Sequence, residues 1–129
     1  MTQDYLNGLN EPQREAVLHV KGPLMIVAGA GSGKTKVLTT RIAHLMAYHQ
    51  VDAFNILALT FTNKAAKEMK ERIERILGNA DARNLYVGTF HSVFARILRS
   101  EADKLGYPSN FTIYDSQDSV RLISAIIKE

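Results

Sequence analysis

Lys34 and Thr35 stand at the end of Ala28-Gly29-Ala30-Gly31-Ser32-Gly33-Lys34-Thr35, the stretch of this chain whose residue types and spacing are best suited to chemistry. Alternating glycines let the backbone adopt left-handed angles and approach a ligand with no Cβ in the way, so successive N–H groups can converge on phosphate oxygens. A helix beginning at the end of the loop turns its positive pole toward the same anion. Lys34 can reach the outer phosphates of a nucleoside triphosphate as a point charge, and the Thr35 hydroxyl can complete the shell of a Mg²⁺ ion. The strict form of such a loop has glycine at its first position, where this chain has Ala28. A glycine-rich run can also be an ordinary tight turn, but Lys-Thr at this spacing, between strand and helix signals, decides for the phosphate loop.

Two further groups of residues are candidates. Gln13 carries an amide that can accept from adenine N6–H and donate to N7, although Asn10-Glu11-Pro12-Gln13 is equally the start of a capped surface helix. Phe61-Thr62-Asn63-Lys64 and Thr89-Phe90-His91 each follow a short apolar run and lead into a helix pattern. Phe61 is either core or a stacking platform for an unpaired base, with Thr62, Asn63 and Lys64 on the phosphates. Thr89 suits a helix N-cap, and His91 is either a phosphate donor or an ordinary surface histidine.

The elements that must position these residues alternate between strand and helix. Leu24 to Ala28 and Ile56 to Thr60 are short apolar runs, as expected of buried parallel strands. Between them Val37, Leu38, Ile42, Leu45 and Met46 recur with a helical period, which predicts a right-handed crossover unit. Ala65, Met69, Ile73 and Ile76 mark a second helix, with Lys67–Glu71 and Lys70–Glu74 spaced for ion pairs on its other face. Leu85 to Val87 is a third strand, followed by a helix with Val93, Phe94, Ile97 and Leu98 inward. Phe111 to Tyr114 is a possible strand, and a last helix turns Val120, Ile123 and Ile127 inward. Asp115 ends an apolar run as a magnesium-binding aspartate would, but the run is short and no acidic residue follows directly. Asp115 with Asp118 instead suits a helix start. The fold class is therefore α/β, with three strand ends presenting the phosphate loop and two polar turns on one edge, where open sheets bind ligands.

Composition narrows the alternatives. At 129 residues and 46% hydrophobic the chain supports one core, and without cysteine it has no disulfide framework or thiolate metal site. Among the four histidines, His44 and His49 are i, i+5 and are not expected to share a helix face. The formal charge of +3 is compatible with a polyanionic partner without indicating one. Met1-Thr-Gln-Asp-Tyr lacks the basic and apolar parts of a leader and no run is long enough to span a bilayer, so no membrane partner and a cytoplasmic location are expected.

With these residues assembled, the chain resembles the N-terminal part of the UvrD/Rep/PcrA family of superfamily 1 DNA helicases from Leu9 to about Ile123. Leu9-Asn10-x-x-Gln13 is similar to the family's Q motif, Ala28 to Thr35 to motif I, Thr60 to Ala66 to motif Ia, and Gly88 to Ser92 to motif Ib. The resemblance implies a P-loop NTPase (RecA-like) parallel sheet with flanking helices, incomplete in this chain. It implies ATP and Mg²⁺ as cofactors, with Gln13, Ala28, Gly29, Ala30, Gly31, Ser32, Gly33, Lys34, Thr35 and Lys36 at the nucleotide and Thr35 at the metal. Lys36 stands where the family often has an arginine against the adenine, and it lacks the planar guanidinium. Single-stranded DNA is the implied partner of Phe61, Thr62, Asn63, Lys64, Thr89 and His91, and 3′ to 5′ the implied direction.

An Asp-Glu metal box, the motif III glutamine and a second RecA-like domain with its arginine fingers have no counterpart before Glu129. The expectation is therefore a piece of a longer helicase: residues 1–108 from the ATP-binding domain, residues 109–129 opening an inserted helical subdomain, and the rest of the helicase as partner. Alone, it is expected to hydrolyse ATP negligibly and to self-associate through an unpaired sheet edge. A stand-alone nucleotide-dependent DNA-binding module and a RecB/AddA-type helicase–nuclease are the rival readings.

Overall fold

The computed structural model describes residues 4–78 and 80–128. Met1-Thr2-Gln3, part of the stretch inspected for a leader, lies outside the described residues. Helix α1 (Glu11–Leu18) begins at a reciprocal cap. Asn10 Oδ1 accepts from the Gln13 backbone N–H and Gln13 Oε1 accepts from the Asn10 N–H, both at 3.0 Å. Pro12 sits in the first turn, where its missing N–H leaves no bond unmade. At the other end Arg41 donates to the Ala16 carbonyl at 2.7 Å and to that of His19, tying the last turn of α1 to α2 (Lys34–Ala47). Leu6, Val17 and Val37 form a small buried cluster that fixes the N-terminal segment and α1 against α2.

The main core lies around a β–α–β unit. Strand β1 (Leu57–Thr60) is followed by α3 (Asn63–Leu77) and then by strand β2 (Tyr86–Thr89), which pairs parallel to β1. Thr62 Oγ1 caps α3 by accepting from Ala65 N–H at 3.1 Å, and Gly78, at φ 65°, ends it in the left-handed conformation. Ile42 and Ala43 of α2, Ala58 of β1 and Met69, Ile73 and Leu77 of α3 share one buried cluster with Ala82 and Leu85. The register pairs Ala58 with Val87 and Thr60 with Thr89, so the two strands end level with each other.

The chain divides into two compact units, Met1–Val93 and Phe94–Glu129, and helix α4 (Phe90–Glu101) runs across the division. In the second unit Arg99 Nη1 donates to the Ser109 and Phe111 carbonyls at 2.9 and 3.2 Å, with its guanidinium 4.6 Å from the Phe111 ring centre. The Asp115 carboxylate accepts from the Asp118 N–H at 2.8 Å and the Asp118 carboxylate from the Asp115 N–H at 3.2 Å, opening α5 (Ser116–Lys128), the helix start expected of them.

Several expectations are corrected. Leu24 to Ala28 is not a strand, and Met25 and Val27 are 86% and 88% exposed. A strand exists through its ladder, and among the described residues the only ladder is β1 with β2, so the crossover joins those two through α3. Two of the three expected strand ends are therefore present as such. Phe111 to Tyr114 is likewise irregular. On α4 only Val93 is buried, while Phe94 and Leu98 are about half exposed, and α5 buries no residue, Val120, Ile123 and Ile127 all lying open. Helical period specifies which residues share a face, not what covers it. Lys67 does pair with Glu71 at 3.9 Å, whereas Lys70 turns to the Arg83 carbonyl.

His44 and His49 do meet, with ring centroids 5.1 Å apart, as the chain leaves the helix after Ala47 and the His49 N–H bonds back to the His44 carbonyl at 3.4 Å. His44 is 2% exposed, hydrogen-bonded through Nδ1 to the Tyr5 hydroxyl at 3.0 Å and stacked on Tyr48. Burial first, then the neighbouring His49 and Arg41, holds its pKa below the usual histidine value. Among the described residues no group of three or more His, Cys, Asp or Glu side chains is arranged to hold a metal.

Candidate nucleotide and nucleic-acid site

The glycine-rich loop takes its shape from three local features. Gly31 and Gly33 have φ of 75° and 81°, a conformation that side-chain-bearing residues adopt at a cost. Gly29 does not share it. The Ser32 hydroxyl folds back to donate to the Gly29 carbonyl, and Ser32 N–H donates to the same oxygen at 3.2 Å. Gly33 is the N-cap of α2 and has no side chain to fill the helix's free N–H groups, so the helix opens directly at Lys34 and Thr35. Both side chains are exposed and, among the described residues, neither makes a side-chain hydrogen bond or ion pair. A free ammonium and a free hydroxyl in the first turn of a fourteen-residue helix are groups that could receive an anion and, at the hydroxyl, a hard cation. The donor set fits Mg²⁺ in that the hydroxyl is uncommitted.

Two long-range bonds tie this loop to the N-terminal segment. Gln13 Nε2 donates to the Ser32 carbonyl at 3.1 Å, and Lys36 Nζ donates to the Gly8 carbonyl at 2.9 Å. Gln13 thus uses one amide proton on the loop and one carbonyl lone pair on its own cap, keeping one of each. A Cβ on Gly33 would stand 3.1 Å from Gln13 Nε2, a second reason for glycine there. Lys36, expected near the nucleotide, has its ammonium at Gly8; neither tie was legible in the sequence, since each spans about twenty residues or more.

At the carboxyl ends of β1 and β2 the level register puts Thr60 beside Thr89 and, one residue on, Phe61 beside Phe90. The two rings lie 5.6 Å apart and 32° from coplanar. Phe61 is 92% exposed, which removes the reading of it as core. Thr60, Phe61, Thr89, Phe90 and His91 line a cleft of about 230 Å³. Thr62 spends a lone pair on its cap, and Asn63 and Lys64 are exposed in the first turn of α3. Thr89 caps α4 as expected, accepting from Ser92 N–H at 3.1 Å and donating to Ser92 Oγ at 2.9 Å. Phe90 was not singled out from the sequence, although the repeated dipeptide Thr60-Phe61 and Thr89-Phe90 was the signal that could have found it.

Comparison with known proteins supplies the context for this geometry. The family model described as UvrD/REP helicase N-terminal domain matches residues 9–129. A protein named ATP-dependent DNA helicase PcrA from Bacillus subtilis is 54% identical over 129 residues, all of this chain and 17% of that protein. Proteins of the same name from Staphylococcus aureus and Staphylococcus epidermidis are each 51% identical over 123 residues, 95% of this chain and 17% of theirs. The chain thus spans about a sixth of the length of these curated relatives.

Proposed function

The chain belongs to the UvrD/REP helicase family, and from that membership we propose that it is the part of an ATP-dependent DNA helicase that binds ATP and grips single-stranded DNA. The observation that carries this reading is the pairing of an open phosphate loop with an exposed aromatic pair at two strand ends of the same unit. In this reading the remaining amide N–H and lone pair of Gln13 select adenine, the backbone of Ala28 to Gly33 surrounds the phosphates, and Lys34 neutralises charge that develops on the terminal phosphate. Lys36 borders the nucleotide and holds the Gly8 turn against it. Thr35 would hold Mg²⁺, which when bound supplies further positive charge to the phosphate chain.

Phe61 and Phe90 receive unpaired bases, with Thr62, Asn63, Lys64 and His91 toward the phosphodiester backbone and Thr89 holding the shape of its turn. The loop, the strand ends and their helices form a RecA-like P-loop unit, residues 1–108 in our division, with residues 109–129 opening a further subdomain. Closure of a second motor domain on bound ATP would shift the two turns along the strand, 3′ to 5′. In this reading these residues bind ATP, and its hydrolysis draws in addition on an acidic pair that positions water and on an arginine from a facing domain. We place this activity in the cytoplasm; as a separate observation, among the described residues no helix is long and apolar enough to cross a membrane.

The test is anisotropy of labelled oligo-dT titrated with the protein, with and without ATP and Mg²⁺. Affinity should fall steeply with salt and change when nucleotide is added. Salt-independent binding, or none, would refute the nucleic-acid half of the proposal.

A further inference from the structure

Between the N-terminal segment, α2 and α3 lies a second cavity, of about 220 Å³, lined by Tyr5, Lys36, Thr39, Thr40, Arg72 and Arg75. It is smaller than the roughly 300–1,000 Å³ of sites that enclose whole small molecules. Three cationic residues line it together with Ile76, and among the described residues no carboxylate is in its lining. Arg72 and Arg75, three residues apart, share a face of α3. Arg75 spends only Nε, on the Glu71 carbonyl at 3.4 Å, and Arg72 has no partner among the described residues. The Lys36 ammonium, with three donors, uses one on Gly8.

The opposite wall carries hydroxyls of unequal standing. Thr39 donates to the Thr35 and Lys36 carbonyls and is satisfied. Thr40 is 2% exposed as a residue and makes no side-chain hydrogen bond among the described residues. No enclosed side-chain polar atom among them lacks a partner, so the Thr40 hydroxyl must open into the cavity it lines. A hydroxyl on a nearly buried residue, opening into a cavity lined by two arginines and a lysine, suits an acceptor-rich ligand.

We propose that this cavity is an oxyanion site for a single phosphate-class group, distinct from the phosphate loop. Arg72 and Arg75 present planar forks matched to its oxygens, Thr40 donates a further bond, and Lys36 adds charge. The group comes either as free phosphate or as a phosphate of a nucleic-acid backbone. Lys36 follows Thr35 directly in the chain and holds the Gly8 turn, so an occupant would sit beside the side chain that ties this turn to the loop helix.

The proposal is tested by phenylglyoxal modification of the protein, with the extent of reaction at Arg72 and Arg75 read by peptide mass spectrometry. Inorganic phosphate should slow both severalfold while chloride at equal ionic strength does not. Protection should persist in Lys34→Ala, which disables the phosphate loop and so separates this site from the nucleotide reading. It should weaken in Thr40→Val, an isosteric change whose folding is checked by circular dichroism. Protection by oligo-dT but not by inorganic phosphate supports the site and identifies the backbone as its source. Equal protection by chloride, loss of protection in Lys34→Ala, or no protection by either probe overturns it.

Discussion

Gln13 Nε2 donates to the carbonyl of Ser32 at 3.1 Å, while the same amide's oxygen caps its own helix through the Asn10 N–H. One side chain therefore fixes the start of α1 and the middle of the glycine-rich loop together. The loop's free groups, Lys34 and Thr35, are held where α1 and α2 meet around Leu6, Val17 and Val37.

Replacing Gln13 by alanine removes both bonds. Stability to urea should fall by about 1 kcal/mol, the usual cost of a lost cap. Competition between ATP and GTP should lose its preference for adenine. A variant as stable and as selective as the parent would show that the amide does neither job.

Gly33→Ala places a Cβ 3.1 Å from Gln13 Nε2 at a residue with φ of 81°. The strain should cost about 1–3 kcal/mol in thermal or chemical unfolding and abolish nucleotide binding. Gly29→Ala, with open space around its Cβ and no positive φ, should be much milder in stability. Equal losses at the two positions would contradict the loop geometry.

Phe61 lies open beside Phe90, so Phe61→Ala should change stability by no more than about 0.5 kcal/mol. Affinity for oligo-dT should nevertheless drop by roughly 1–3 kcal/mol, the worth of one stacked base. Phe90→Ala is the companion measurement, and unchanged affinity in both variants would remove the stacking role.

His44 sits neutral among Tyr5, Tyr48, His49 and Arg41, its pKa held below the usual value. The unfolded chain takes up a proton near pH 6.5, roughly the value of a free histidine, while the folded chain resists until lower pH. Stability is therefore fully present above that pH and is lost as pH falls toward the folded pKa. Urea midpoints should decline in this acid range, with a flatter profile in His44→Gln; a midpoint that rises on acidification would contradict the buried neutral state.

What the sequence made legible was local. The cap at Asn10, the Asp115–Asp118 start of α5, the Thr89 cap and the left-handed Gly31 and Gly33 all depend on residues within four positions of each other. The Phe61–Phe90 pair was hidden because it depends on the parallel register, which the spacing of two runs does not give. Leu24 to Ala28 has a strand's composition but no ladder partner among the described residues, and α5 has an apolar face that none of them buries. Composition specifies what a segment can bury, and only neighbours decide whether it does.

Lys34 and the loop that presents it are the groups on which triphosphate binding would depend most directly. Equilibrium binding of a fluorescent ATP analogue with Mg²⁺, compared between the parent and Lys34→Ala, is the measurement that tests it. Saturable binding, displaced by ATP and lost in Lys34→Ala while the circular dichroism of the fold is unchanged, is the expected result. Binding of equal strength in both proteins, or in neither, would contradict the assignment of residues 28–35 as the site that holds the triphosphate.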